Sequence, residues 1–183
     1  MLPFRRRAQF ARAAHHRHQV GFAIGHVDQF CARHMDPSFK DFLLKVVEGA
    51  NDLTLATVRT DGYPQATTVS FAHDGLNLYV GIGKRSQKAS NVKQNNKVSL
   101  TINLPYHDWR EIQGLSMSAL AEVLETGTDV ELAKACLLKR FPQTAEWGET
   151  AQADEVAFLK ITPQVISILD YTKGFGHTEQ VVA

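Results

Sequence analysis

Between residues 83 and 91 the chain reads Gly-Lys-Arg-Ser-Gln-Lys-Ala-Ser-Asn, which sets Lys84, Arg85 and Lys88 around Ser86. A serine ahead of a helix-compatible run is an N-cap, and the first turn behind it carries backbone N–H groups without intrahelical acceptors. Those amides, the positive end of the helix dipole and mobile cations together have the chemistry of a phosphate-sized anion site. The same residues also suit a solvated loop with surface cations and a routine cap, and the motif alone does not separate the two. Two or three charge-assisted hydrogen bonds at ~1.5–3 kcal/mol each supply about 5 kcal/mol. Micromolar binding requires about 8 kcal/mol. A ligand held here must therefore also bury an apolar or aromatic body. The nearby run Ala66-Thr67-Thr68-Val69-Ser70-Phe71 offers backbone edges and small hydroxyls on which a flat ring could lie.

Other chemistries fail on spacing. Gly81-Ile82-Gly83-Lys84-Arg85-Ser86 lacks the third glycine of a dinucleotide fingerprint, and Arg85 stands where a P-loop needs Ser or Thr. No H-E-x-x-H or G-x-S-x-G occurs. The cluster His15-His16-Arg17-His18 has an arginine inside it and no nearby carboxylate or thiol, so no metal site is expected. Cys31 and Cys136 form no C-x-x-C, which fits a reducing, cytoplasmic setting.

The elements that must position the cations are legible from Met35 onward. Asp36-Pro37 reads as an N-cap and a first helical proline; Phe39, Phe42, Leu43, Val46 and Val47 mark one apolar face, and Gly49 ends the helix. Leu53–Arg59, Gln65–Ala72 and Leu76–Gly81 are β-prone runs separated by Asp61-Gly62 and Asp74-Gly75, which predicts a three-stranded antiparallel meander. A short helix follows to about Gln94, then two alternating strands, Val98–Leu104 and Leu115–Val123. Thr128-Asp129-Val130-Glu131 reads as a capping box for a helix to about Arg140; Val156–Ile161 and Val165–Leu169 read as a final strand pair around Thr162-Pro163. Six or seven mostly antiparallel strands with few helices must close or pair to hide their edges, so the fold class is α+β, mainly β: a small barrel, dimerised.

Composition divides the chain. Residues 1–34 hold six arginines, five histidines and one acid, which is +5 with histidine neutral and leaves −4 for the rest of a chain whose total is +1. The segment lacks the ~7–15-residue apolar stretch of a secretory signal, and it contains no serine or threonine, which weakens a transit-peptide reading. It is read as a poorly ordered extension ahead of a domain over 35–183, with Met35 as an alternative start. Val20, Ala23, Val27, Phe30 and Cys31 keep a helical spacing that leaves a short helix open. No apolar run approaches the ~18 residues of a membrane helix, and near-neutral charge argues against a general nucleic-acid binder.

Taken in order, "LATVRTDGYPQATTVSF" and "LYVGIGKRSQKASNVKQNNKVSLTIN" resemble the FMN-binding split barrel of the pyridoxamine 5'-phosphate oxidase-like superfamily: strand, Asp-Gly turn, strand, then S-R-K-A-x-N-[LI] and N-P-R-V-S-L. The likeness runs from about Leu53 to Leu124 and more loosely to the C-terminus. It implies that Lys88 contacts the FMN phosphate with Ser86 beside it. The family arginine is Gln87 here, with Arg85 or Lys84 as replacement cations. It further implies that Ala66, Thr67, Thr68, Val69, Ser70 and Phe71 line the isoalloxazine and ribityl chain, and that Gln113 to Ser116 approach from the next strand. It implies a homodimer with flavin at the interface, where the partner's Tyr171-Thr172-Lys173-Gly174-Phe175-Gly176-His177 can complete the site. Lys173 would be its charge there, and His177 or Tyr171 its proton donor.

The chain lacks the C-terminal R-L-x-x-R-like motif of true pyridoxamine 5'-phosphate oxidases, so vitamin B6 oxidation is not expected. The function expected is an FMN-dependent oxidoreductase or flavin reductase-like enzyme acting on a small molecule. A flavin-binding or sensing protein without turnover, a deazaflavin in place of FMN, and a haem protein ligated by His73, His107 or His177 remain open.

Overall fold

The computed structural model describes residues 37–145 and 155–183. The basic extension, the helical spacing around Val20–Cys31, the histidine cluster and the Asp36 cap lie outside the described residues.

Helix α1 (Pro37–Gly49) buries Phe39, Leu43, Val46 and Val47, the i, i+4, i+7, i+8 stripe written in the sequence. Eight strands follow: β1 (Asp52–Val58), β2 (Pro64–Ser70), β3 (Ala72–Asp74), β4 (Asn77–Gly83), β5 (Lys97–Asn103), β6 (Gln113–Leu124), β7 (Val156–Asp170) and β8 (Thr178–Val182). Helix α2 (Gln87–Gln94) joins β4 to β5, and α3 (Thr128–Arg140) leaves β6. The strands form one antiparallel sheet in the order β2-β1-β5-β6-β7-β4-β3, with β8 on β7, curled into a half-barrel. One face of each strand fills the barrel; Leu55, Val80, Leu100, Ile102, Leu115, Leu159, Ile161 and Ile166 are almost fully buried there. The chain is thus mainly β, α+β, as its alternation predicts. Among the described residues no helix is long and apolar enough to cross a membrane.

Three local expectations are corrected. The predicted three-stranded meander is two separate hairpins. Both Asp-Gly turns form, with Gly62 at φ 85° and Gly75 at φ 57°, but β1 turns from β2 to β5, and β4 turns from β3 to β7. The final strand pair is one 15-residue strand, β7. Pro163 lies where β7 changes partner from β4 to β8 and where its ladder to β6 slips beside Ser118. A missing N–H interrupts least at such a point. The capping box does not form: Gly127 at φ 98° is the N-cap of α3 and Thr128 is already helical.

Arg140, the last residue of α3, donates to the carbonyls of Val47 (2.9 Å), Glu48 (3.4 Å) and Ala50. It thereby satisfies the open C-terminal end of α1. Its guanidinium also lies 4.6 Å from the centre of the Phe71 ring.

Candidate functional site: the capped turn of α2 and the C-terminal loop

Strand β4 ends at Gly83, and a turn closed by the Ser86 N–H on the Gly83 carbonyl (3.0 Å) leads into α2. Ser86 is extended (φ −71°, ψ 153°), and its Oγ accepts the Ala89 N–H at 3.2 Å. The Ser90 N–H is taken by the Ser86 carbonyl at 3.2 Å. The N–H groups of Gln87 and Lys88 are therefore the first-turn donors left without helical acceptors.

The cations around this cap differ sharply. Arg85 is 86% exposed and pairs with Glu155 at 2.8 Å. Lys84 is exposed, and its backbone N–H bonds the Glu155 carbonyl at 2.7 Å. Lys88 is half-buried, and among the described residues no carboxylate lies within ion-pair distance of it. Burial holds its ammonium below the usual lysine range. Gln87 is exposed, but its amide is turned along its own helix to Asn91 Oδ1 at 2.9 Å.

Spacing did not reveal what fastens α2. Asn91, 1% exposed, donates to Thr57 Oγ1 (2.9 Å) on β1 and Gln65 Oε1 (3.2 Å) on β2. The asparagine stands in the motif as written, but its partners are far away in the chain.

On β2, Ala66, Thr68 and Ser70 are exposed on one face, while Thr67 and Val69 are half-buried on the other. Phe71 departs from the expectation that it lines a ring: its side chain is fully buried, with Arg140 above it, and belongs to the core. Ser116 is half-buried on β6. Register places it in a row of small hydroxyls across five strands: Thr68, Thr54, Thr101, Ser116 and Ser167.

Gln113 and the Tyr171–His177 loop form a second cluster. Gln113 donates to Asp170 Oδ1 (2.9 Å) and accepts from Lys45 Nζ (2.7 Å). Burial pushes the Asp170 carboxyl up, yet hydrogen bonds from Thr172 and Gln113 outweigh it and hold it low. Beside it Gly114 permits close approach of β5, since a Cβ there would meet the Ile102 carbonyl at 2.7 Å. The loop turns at Gly174 (φ 129°) and Gly176 (φ 75°). Tyr171 and Trp109 both meet the Phe175 ring edge-on at 5.5 Å. Glu179 Oε1 takes both His177 Nε2 (2.8 Å) and Lys173 Nζ (2.9 Å). Spacing missed this carboxylate, although two residues apart on an extended segment put His177 and Glu179 on one face.

The two clusters do not meet within one chain. Asn96, just after α2, accepts the Ala121 N–H at 2.8 Å, whereas Gln113 begins the same strand β6. Eight residues of strand separate them, roughly 26 Å at ~3.3 Å per residue.

A family model described as pyridoxamine 5'-phosphate oxidase matches residues 39–170, well over half the chain. The chain belongs to that family. Among solved structures it resembles a heme binding protein from Mycobacterium smegmatis (18% identity, TM-score 0.68), covering 80% of this chain and 59% of that one. It also resembles a Listeria innocua protein provisionally named pyridoxamine 5'-phosphate oxidase, at 26% identity and TM-score 0.58, covering 72% and 98% of the two chains. A third is HutZ, the heme storage protein of Vibrio cholerae, at 18% identity and TM-score 0.57, covering 81% and 94%. The chain thus spans little more than half of the M. smegmatis protein. A search of curated proteins returned no match. The two haem-associated proteins share the fold of this pyridoxamine 5'-phosphate oxidase family member at 18% identity.

Proposed function

We propose that the protein binds FMN and works as an FMN-dependent oxidoreductase on a small molecule. The observation that carries this reading is Lys88: a half-buried cation with no acid partner among the described residues, beside the two unpaired amides of a capped helix turn. Desolvating a lysine without a counter-charge is costly, and a bound phosphate would offset that cost. The donor set suits phosphate: an ammonium, two backbone N–H groups and the positive end of α2. Arg85 or Lys84 can reinforce it from the exposed side. Ala66, Thr68 and Ser70 offer a small-residue wall for the ring. FMN, when bound, supplies the hydride and electron chemistry that these side chains lack.

The protein's own work is to bind, orient and move a proton. His177, held through Nε2 by Glu179, is the proposed proton carrier, and Tyr171 its neighbour in the loop. Because that loop lies far along β6 from α2, we assign it to the site of a second copy, in a homodimer packed through the face bearing the Thr54–Thr101–Ser116 row. Lys173 and Gln113 then approach the flavin from the partner.

A flavin-binding protein without turnover fits the same binding residues. A haem reading is favoured by one observation, a histidine, His177, two residues beyond Phe175 of the Trp109–Phe175–Tyr171 aromatic group. The absorbance spectrum of the purified protein, before and after adding FMN and then haem, separates them. Twin flavin bands on the bound fraction support the proposal. A Soret band lost in His177→Ala replaces it with haem binding.

A further inference from the structure

Asn91 is the most deeply buried polar side chain of α2, and its amide is fully used. Both donor hydrogens go to the sheet, to Thr57 Oγ1 and Gln65 Oε1, while its oxygen accepts from Gln87 Nε2. Thr57 and Gln65 face each other across the β1–β2 ladder, so one side chain fastens the helix to two strands at one point. Apolar contacts already hold the helix against the sheet. Ala89 and Val92 bury the same helix face in the apolar core, and exchanging both partners of a buried hydrogen bond for apolar groups of the same shape is close to neutral. What the amide adds is direction and distance. It fixes the rotation of α2 about its axis and its spacing from Gln65, the residue before Ala66.

We infer that Asn91, through Thr57 and Gln65, is a positioning residue that sets the span between the phosphate-holding turn at Ser86–Lys88 and the strand wall that starts at Ala66. The site then selects a ligand whose phosphate and ring are one particular distance apart. A ligand touching only the wall is indifferent to the strap. This inference rests on the flavin reading.

The test is a fluorescence titration of FMN and of riboflavin, which lacks the phosphate, into the intact full-length protein and three variants. Thr57→Val removes the hydroxyl that anchors Asn91. Thr57→Ser keeps it. Gln65→Met, at a half-buried position, removes the second anchor should Thr57→Val fail to fold. The riboflavin-to-FMN ratio of dissociation constants is expected to fall about tenfold (~1.4 kcal/mol) in Thr57→Val, through weaker FMN binding alone, and likewise in Gln65→Met. Thr57→Ser should restore the wild-type ratio. An unchanged ratio in Thr57→Val and Gln65→Met overturns the inference while leaving the flavin reading intact. Equal weakening of both ligands also overturns it, since that is what general loosening of the fold would produce. Wild-type protein that binds neither flavin overturns the flavin reading and this inference with it.

Discussion

Lys88 and Arg85 lie three residues apart with the same charge, and their surroundings give them different work. Arg85 is exposed and paired with Glu155, an interaction worth at most about 1 kcal/mol. Lys88 is partly desolvated, and its ammonium is held below the usual lysine range. The unfolded chain binds that proton more tightly than the native one. Lys88 therefore opposes folding while charged, and its penalty fades as pH rises above the depressed folded value. A bound phosphate reverses the sign by favouring the charged form. FMN affinity is thus expected to be full below the folded Lys88 pKa and to fall as pH rises through it. Lys88→Arg, whose guanidinium keeps its charge, should flatten that alkaline fall. Titrations across the alkaline range check this, and the same fall in both proteins would remove Lys88 from the phosphate. At this scale the sequence was legible where the information was local: Ser86 caps α2 through Ala89, three residues on. Asn91 was not legible, because Thr57 and Gln65 are 34 and 26 residues away.

At the scale of elements, local period and turn chemistry carried far. The Asp-Gly turns, the β-prone run of β1 and the alternating runs of β5 and β6 were readable because each follows from neighbouring residues. Pairing order was not, because the choice of β5 or β4 as a neighbour is made by the whole barrel. Pro163 was misread as a break for a related reason: its tolerance depends on which strand flanks β7 at that point. Arg140 shows the same dependence. It terminates α1 from 90 residues away, through the carbonyl of Ala50. Arg140→Ala is expected to lower the unfolding free energy by about 2–3 kcal/mol, because several carbonyls lose a charged donor and Phe71 loses its cover. Arg140→Lys should restore little, since an ammonium cannot span the carbonyls and lie flat on the ring. Urea denaturation measures both, and a loss below ~0.5 kcal/mol in the alanine variant would contradict this role.

For the whole molecule, the decisive feature is the length of β6. It carries α2 near one end and Gln113 with the Tyr171–His177 loop near the other. The resemblance implied that both contribute to one site, and the length of β6 separates them within one chain, so the proposed site draws on two copies. Sedimentation should give twice the 20.4 kDa chain mass. Thr101 is exposed in the centre of the small-hydroxyl row. Thr101→Arg should therefore leave the fold intact, produce monomers and abolish FMN binding together. A Thr101→Arg dimer that still binds FMN would move the interface elsewhere.

The central claim is that the cation at the head of α2 holds a phosphate, and the dissociation constant of FMN in wild-type and Lys88→Ala protein tests it most directly. One charge-assisted hydrogen bond at ~1.5–3 kcal/mol predicts FMN binding weakened by roughly ten- to a hundredfold in the variant, with riboflavin binding unchanged. Equal FMN affinity in the two proteins would contradict the claim and return Lys84, Arg85 and Lys88 to the role of solvated surface cations.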